Sequence, residues 1–341
     1  MEDIKFDPEK LKIQSDTAPV TTQTRKDTRF LSDLDNQKVA QVFADLLEEN
    51  RQVIFPIGFP QAGKTQLISS LMFYAIKGRD KNAPIPFRTD LKIDFPYNQG
   101  RVEVDRMIRY YERKELAPAT TANTLNLIGI DIRPDKSKLP VLKLALLDVA
   151  GEDVQKIKIE KEGRFTKKID AILGGLSVSE APVIFVLITP FKPPVYSDET
   201  PKMAEDREDT LHFDFLNYIT EKQPDLLKRA VFFIIVSQWD KKPADEKQTV
   251  ETYIKTKRQK VYNYIKNTNV IWGEYSIGKI LPPISNDDGT TSPPSLERIN
   301  LEYPSKFWKK LYQVCTNKDL DNKSFLQKLF DYQKIRYSIL L

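Results

Sequence analysis

The run Gly58-Phe59-Pro60-Gln61-Ala62-Gly63-Lys64-Thr65 satisfies the spacing G-x-x-x-x-G-K-[ST] at every fixed position. Residues of these types at this spacing suit the holding of a chain of phosphates. Glycines at both ends let backbone N–H groups turn inward around an anion. Lys64 brings a cation on a stem long enough for the β- and γ-phosphates, and Thr65 offers a hydroxyl to Mg2+. An apolar helix, Gln66 to Ile76, follows and aims the positive end of its dipole at the same place. Gly58, Gln61, Ala62, Gly63, Lys64, Thr65 and Gln66 are therefore the candidate phosphate-side residues.

A second anchor is Leu146-Leu147-Asp148-Val149-Ala150-Gly151-Glu152. An aspartate ending a buried strand can support the shell of a Mg2+ ion through a water. The glycine three residues on can offer its N–H to a γ-phosphate and move when that phosphate leaves.

Such residues work only if a scaffold brings them together. Arg51 to Ile57 is a short β-type run before the glycine loop, and Thr124 to Ile132 with Leu139 to Leu147 forms a hairpin around Arg133-Pro134-Asp135-Lys136. Pro182 to Thr189 and Ala230 to Ser237 read as buried strands, and Asn269 to Ser276 as a weaker one. Helices are expected at Asp35 to Asn50, Val102 to Glu115, Ile169 to Leu176, Leu211 to Tyr218, Pro224 to Lys228 and Val250 to Ile265. Lys306 to Cys315 and Phe325 to Ile335 close the chain as helices. Residues 1–30 lack apolar periodicity and read as a flexible arm, leaving 31–341 as one domain. Insertions are expected near 78–122 and 190–228, with Pro190 to Asp209 as a surface loop, and a mobile loop near 283–297. Strands alternating with helices indicate an α/β fold, a mainly parallel sheet covered on both faces.

The order of the two motifs resembles the Ras-like GTPases of the translation-factor-related, or TRAFAC, class. The run LLDVAGED is similar to bacterial double-GTPase-type domains of that clade. The resemblance spans roughly Arg51 to Lys279 and rests on short motifs. It implies a three-layer P-loop NTPase fold of Ras-like type, with a six-stranded, mainly parallel sheet containing one antiparallel strand, and Mg2+ as the metal. It also implies a base-reading motif after the fifth strand, where this chain has Ser237-Gln238-Trp239-Asp240 in place of [NT]KxD. Asp240 would then pair with the N1 and N2 protons of guanine, a donor pair that adenine lacks, and Gln238 stands where a lysine packs along the base. Ser276 and Ile277 occupy the last family motif, whose backbone approaches the base carbonyl. Thr120 or the adjacent Thr121 would give Mg2+ its second hydroxyl beside Thr65, with Asp148 behind the metal. Glu152 stands where Ras-like proteins carry the water-orienting glutamine, which implies slow hydrolysis. Lys64, Gly151 and Glu152 are the residues placed at the chemical step.

Composition trims the alternatives. Cys315 and His212 are the only cysteine and the only histidine, which excludes internal disulfides, thiolate clusters and multi-histidine metal sites. The balance of 53 basic and 48 acidic residues is a mixed, solvated surface, so nucleic acid is not an expected partner. No apolar run approaches the roughly 20 residues of a membrane span, and the charged start of the chain carries no signal core, so a cytoplasmic protein is expected. The expectation is an Mg2+-dependent switch that binds GTP and GDP, hydrolyses GTP slowly, and meets protein partners through the long segment between Lys77 and Ala122 or through the N-terminal arm. A P-loop ATPase and a non-catalytic nucleotide-binding scaffold or assembly subunit remain open.

Overall fold

Three runs of the chain are apolar at nearly every position: β1 (Gln52–Gly58), β5 (Ile184–Pro190) and β6 (Val231–Ser237). Strands of that kind must be buried on both faces, which only the middle of a mainly parallel sheet provides. The computed structural model, which describes residues 31–78, 85–92, 99–122, 124–159, 164–285 and 291–320, places them side by side at the centre of a mixed α/β fold.

Among the described residues the sheet has seven strands. With β2 (Phe87–Leu91), β3 (Leu125–Pro134), β4 (Leu142–Val149) and β7 (Asn269–Glu274), its order is β2-β3-β4-β1-β5-β6-β7. Strands β4, β1, β5, β6 and β7 pair in parallel, whereas β3 pairs antiparallel with both β4 and β2. Only β3 therefore runs against the rest. The expected count of six is corrected by β2, which lies in the insertion expected near 78–122. Its five residues alternate in burial along a sheet edge, too short a pattern to stand out beside the prolines around it. A separate two-stranded ribbon joins β8 (Ile280–Leu281) to β9 (Ser295–Leu296), the second of which lies inside the segment read as a mobile loop.

Strand alternation divides the core in two. Val53, Phe55 and Ile57 of β1 point to one side, with Phe43 of α1 (Asn36–Glu48), Ile172 of α5 (Arg164–Ser177) and Leu216 of α6 (Pro201–Lys222). Ile54 points to the other, with Ile68 of α2 (Lys64–Lys77), Tyr111 of α3 (Gln99–Glu112) and Leu311 of α10 (Glu302–Thr316). Helices cover both faces.

Several helices differ from the sequence reading. α6 begins at Pro201, within the stretch read as a surface loop. Thr200 caps it by accepting from the Met203 N–H at 3.2 Å, and Pro201 sits in the first turn. The expected helix Val250 to Ile265 is two, α8 (Val250–Lys257) and α9 (Gln259–Ile265), broken at Arg258, whose backbone leaves the helical region. α4 (Gly151–Ile159) begins directly at the DxxG glycine, and α7 is Pro224–Lys228. The N-terminal arm and the helix Phe325 to Ile335 lie outside the described residues.

Candidate functional site

Strand order reverses at β1, which has β4 on one side and β5 on the other. In open α/β sheets the crevice beyond the carboxyl ends of strands at such a point is where ligands bind. The glycine loop leaves β1 there. Gln61 and Gly63 take left-handed backbone angles, φ 64 and 86, and the Ala62 N–H closes on the Phe59 carbonyl at 3.0 Å. Gly63 is the residue that turns the loop into α2, where a side chain would strain the backbone.

Asp148, the penultimate residue of β4, is wholly buried beneath this loop. One of its oxygens accepts from Lys64 Nζ at 2.7 Å and the other from Thr120 Oγ1 at 2.9 Å. The Thr120 and Thr65 hydroxyls are 3.3 Å apart. Three motifs distant in sequence thus meet in one hydrogen-bonded chain. Thr120 is buried within it and Thr121 is exposed, so the two adjacent threonines are separated by their surroundings. The Gln66 amide holds the approach to Thr120 by donating to the Ala117 carbonyl at 2.6 Å.

Gly151 packs flat against the loop. A Cβ there would lie 2.7 Å from backbone atoms of Phe59 and Pro60 and 3.0 Å from the Gly58 carbonyl oxygen, so no other residue fits without moving backbone. Glu152, next along, is exposed at the rim.

Beyond β6, Ser237 donates to the Ala62 carbonyl at 2.6 Å and joins the second loop to the first. Gln238 is left-handed, φ 57, and its side-chain oxygen accepts from Lys241 Nζ at 2.6 Å. Asp240 accepts from Ser276 Oγ at 2.6 Å, and Ser276 accepts in turn from the Gly278 N–H at 3.1 Å. Main-chain bonds from Trp239 N–H to the Tyr275 carbonyl and from Tyr275 N–H to Val236 tie these loops together. Burial pushes the Tyr275 phenol well above its ordinary range, so it stays protonated against Ser70.

A cavity of about 720 Å³ runs between the two ends. Gln61, Gly63, Lys64, Thr65, Gln66, Thr120, Gly151 and Glu152 line one end, and Gln238, Asp240 and Ile277 the other. Gly58, Ala62, Asp148 and Ser276 lie behind the wall and support residues that form it. The sequence reading did not single out Leu116, Lys241, Lys279 or Ile280, which also line the cavity. Nor did it find His212, whose ring meets Phe59 of the loop edge-on at 4.7 Å between centroids. A single histidine on a helix carries no sequence signal for such a contact.

Comparison with known proteins adds little weight. Neither a protein-family model nor a curated protein matches the chain. Among solved structures it is similar to the signal recognition particle receptor SRb–GTP/SRX complex from Chaetomium thermophilum, at 12% identity and a TM-score of 0.35, over 66% of this chain and 90% of that one. It is also similar to two mutation variants of SsGBP. One is 13% identical with a TM-score of 0.32, over 86% of this chain and 70% of that one. The other, at 13% and 0.28, covers 72% and 62%. Scores of this size decide nothing about fold or function, and the chain's own geometry carries the case.

The site's donor set suits a hard cation. Two threonine hydroxyls and a carboxylate are oxygen ligands of the kind Mg2+ takes alongside waters and phosphate oxygens. Among the described residues no cluster of three or more His, Cys, Asp or Glu side chains could hold a metal ion. Among those residues, too, no helix is long and apolar enough to cross a membrane.

Proposed function

We propose that this protein is an Mg2+-dependent guanine-nucleotide switch with slow intrinsic GTP hydrolysis, built on a P-loop NTPase fold of Ras-like type. One observation carries the reading. A single cavity has a glycine loop, a lysine and two hydroxyls at one end, backed by a buried aspartate, and an oriented carboxylate at the other.

In this reading the phosphates lie along the loop from Gly58 to Thr65 and meet Lys64 and the N-terminus of α2. Thr65, Thr120 and Asp148 hold the metal, which when bound neutralises charge developing on the transferred phosphoryl group. Gly151 offers its N–H to the γ-phosphate, and α4 begins at that residue, so a change there reaches a whole helix. Asp240, held by Ser276, accepts both donors of the guanine edge. Glu152 lies beside the attacking water, where its charge repels the γ-phosphate and keeps turnover slow. Protein partners would read the nucleotide state from the segment before Thr120 and from α4.

Competition of GTP, GDP and ATP for a fluorescent nucleotide analogue tests this, with Asp240→Ala alongside. Guanine preference that disappears in the variant is expected. Adenine preference untouched by Asp240→Ala overturns the reading in favour of an ATPase. Permanent nucleotide occupancy with no phosphate release over hours favours a scaffold instead.

A further inference from the structure

The loop that holds Ser276 does not end at the base side of the cavity. Lys279 leads into β8, and β8 pairs with β9, so that Ile280 faces Leu296 and Leu281 faces Ser295. The Glu297 N–H returns to the Lys279 carbonyl at 3.0 Å. Gly278, φ 110, sits so close to this return strand that a Cβ would lie 2.8 Å from the Arg298 carbonyl oxygen.

The far side of the same ribbon grips the segment that delivers Thr120. The Leu296 N–H donates to the Lys114 carbonyl at 2.7 Å, and Glu115 and Ser295 form an antiparallel bridge. Lys114 Nζ donates to the Glu297 carbonyl at 3.2 Å, and the Tyr111 hydroxyl to the Asn300 carbonyl at 3.3 Å. Lys114 itself is left-handed, φ 61, and turns the chain out of α3, so the exit of that helix is set against the ribbon. Leu296 is buried in the α2–α3–α10 core and anchors the whole arrangement. Three residues past Lys114, the Ala117 carbonyl is fixed by Gln66, and three further on Thr120 bonds Asp148.

We propose that the β8–β9 ribbon is a brace that positions Thr120 and makes occupancy of the base end felt at the metal end. The inference rests on the guanine-nucleotide reading above. The path is continuous: Asp240 to Ser276, Ser276 to Gly278, Gly278 to Arg298, Glu297 and Leu296 to Lys114, and then along the chain to Thr120. A base that orders Asp240 and Ser276 tightens the loop at Gly278, and the ribbon carries that order to residues 115–120. Lys114 and Leu296 are positioning residues here, since each acts on the metal end through Thr120.

Pyrophosphate and GDP separate the two ends, because pyrophosphate fills the phosphate loop and carries no base. Amide exchange of residues 115–120 is compared in protein saturated with each, in EDTA, for the wild type, Leu296→Ala and Lys114→Gly. The last accommodates the left-handed turn and can keep the main-chain bond from Leu296, while removing the side chain and its ammonium contact. The wild type is expected to exchange about tenfold more slowly with GDP than with pyrophosphate, a coupling of ordinary allosteric size. That GDP-specific difference is expected to collapse in Leu296→Ala and to shrink in Lys114→Gly, with GDP still bound. Equal exchange in the two wild-type complexes overturns the brace, as does a difference that persists in both variants, which would mean direct contact with the nucleotide. Failure of GDP and pyrophosphate to bind at all is seen separately by calorimetry. It overturns the nucleotide reading and the brace with it.

Discussion

Lys64 and Asp148 stand 84 positions apart in the chain and 2.7 Å apart in space, with Asp148 wholly buried. The two side chains are thus already one ion pair, and on the proposed reading phosphates entering the loop would compete with Asp148 for Lys64. Breaking such a pair from one side leaves a buried charge without compensation, which costs about 3–5 kcal/mol. Lys64→Met is therefore expected to lower stability by about that much, and Asp148→Asn in the same background to restore most of it. A double-mutant cycle by urea denaturation measures the coupling. Additive effects of the two substitutions would show that the pair contributes nothing.

Thr120 and Thr121 are chemically identical neighbours with different surroundings. Thr120 is buried, bonded to Asp148 and close to Thr65, while Thr121 is exposed. Thr120→Ala is expected to weaken Mg2+ dependence of GTP binding by about tenfold, the value of one hydrogen bond to a charged group. Thr121→Ala should leave it within about twofold, as surface substitutions usually do. Mg2+ titrations of nucleotide release decide between them, and equal effects at both positions would reject the assignment of Thr120.

The loop and the buried aspartate were legible in the sequence because their signals are local. Gly58 to Thr65 fixes a loop by spacing alone, and Asp148 ends an apolar run whose burial is obvious. The central strands β1, β5 and β6 were legible for the same reason, being apolar at almost every position. What stayed hidden depends on distant pairing. β2 owes its existence to β3, which it meets from Phe87↔Pro134 to Leu91↔Ile130. The break between α8 and α9 follows from Arg258, drawn into the core to donate to Thr189 at 3.0 Å. The start of α6 was available in principle from Thr200-Pro201, but the charged residues behind that cap lack a clean apolar stripe.

Gly151 offers a test of the proposed switch that leaves the residues of the Gly58–Thr65 loop unchanged. Its missing Cβ lets α4 begin against the backbone of Phe59 and Pro60, at a distance of 2.7 Å from where that atom would stand. Gly151→Ala must push the start of α4 away from the loop, an overpacking that costs about 1–3 kcal/mol. GDP is expected to bind nearly as before, because on the proposed reading Gly151 meets only the γ-phosphate that GDP lacks. GTP hydrolysis is expected to fall at least about a hundredfold, of the order seen when one donor to developing charge is lost. Single-turnover phosphate release alongside GDP affinity checks the split, and parallel losses in both would place Gly151 in general packing.

Behind the loop, Glu208 and His212 lie one turn apart on α6, both almost fully buried, with His212 against Phe59. Burial raises the Glu208 carboxyl to about 7, against the pull of Arg258 and Arg207 and with a smaller push from Glu199. Burial lowers the His212 imidazole to about 4, with Arg258 adding to the effect and main-chain bonds at Glu208 and Ile188 opposing it. Between about pH 4 and pH 7 both groups are therefore held neutral, and their pH dependences have opposite signs. The Glu208 contribution is complete below its ordinary value of 4.5 and is lost as pH rises to about 7. The His212 contribution is complete above 6.5 and is lost as pH falls to about 4. Where the windows overlap the two slopes cancel, and the pair adds almost no pH dependence to the native protein. Glu208→Gln keeps the main-chain carbonyl that His212 bonds, removes one slope and exposes the other. Stability of that variant is expected to rise by about 3 kcal/mol between the two His212 limits. His212→Gln should show the reverse, a fall of about the same size as pH rises through the Glu208 window. Urea midpoints measured across that range read both directly. Matching, flat profiles in the two variants would mean that neither group is held neutral by the fold.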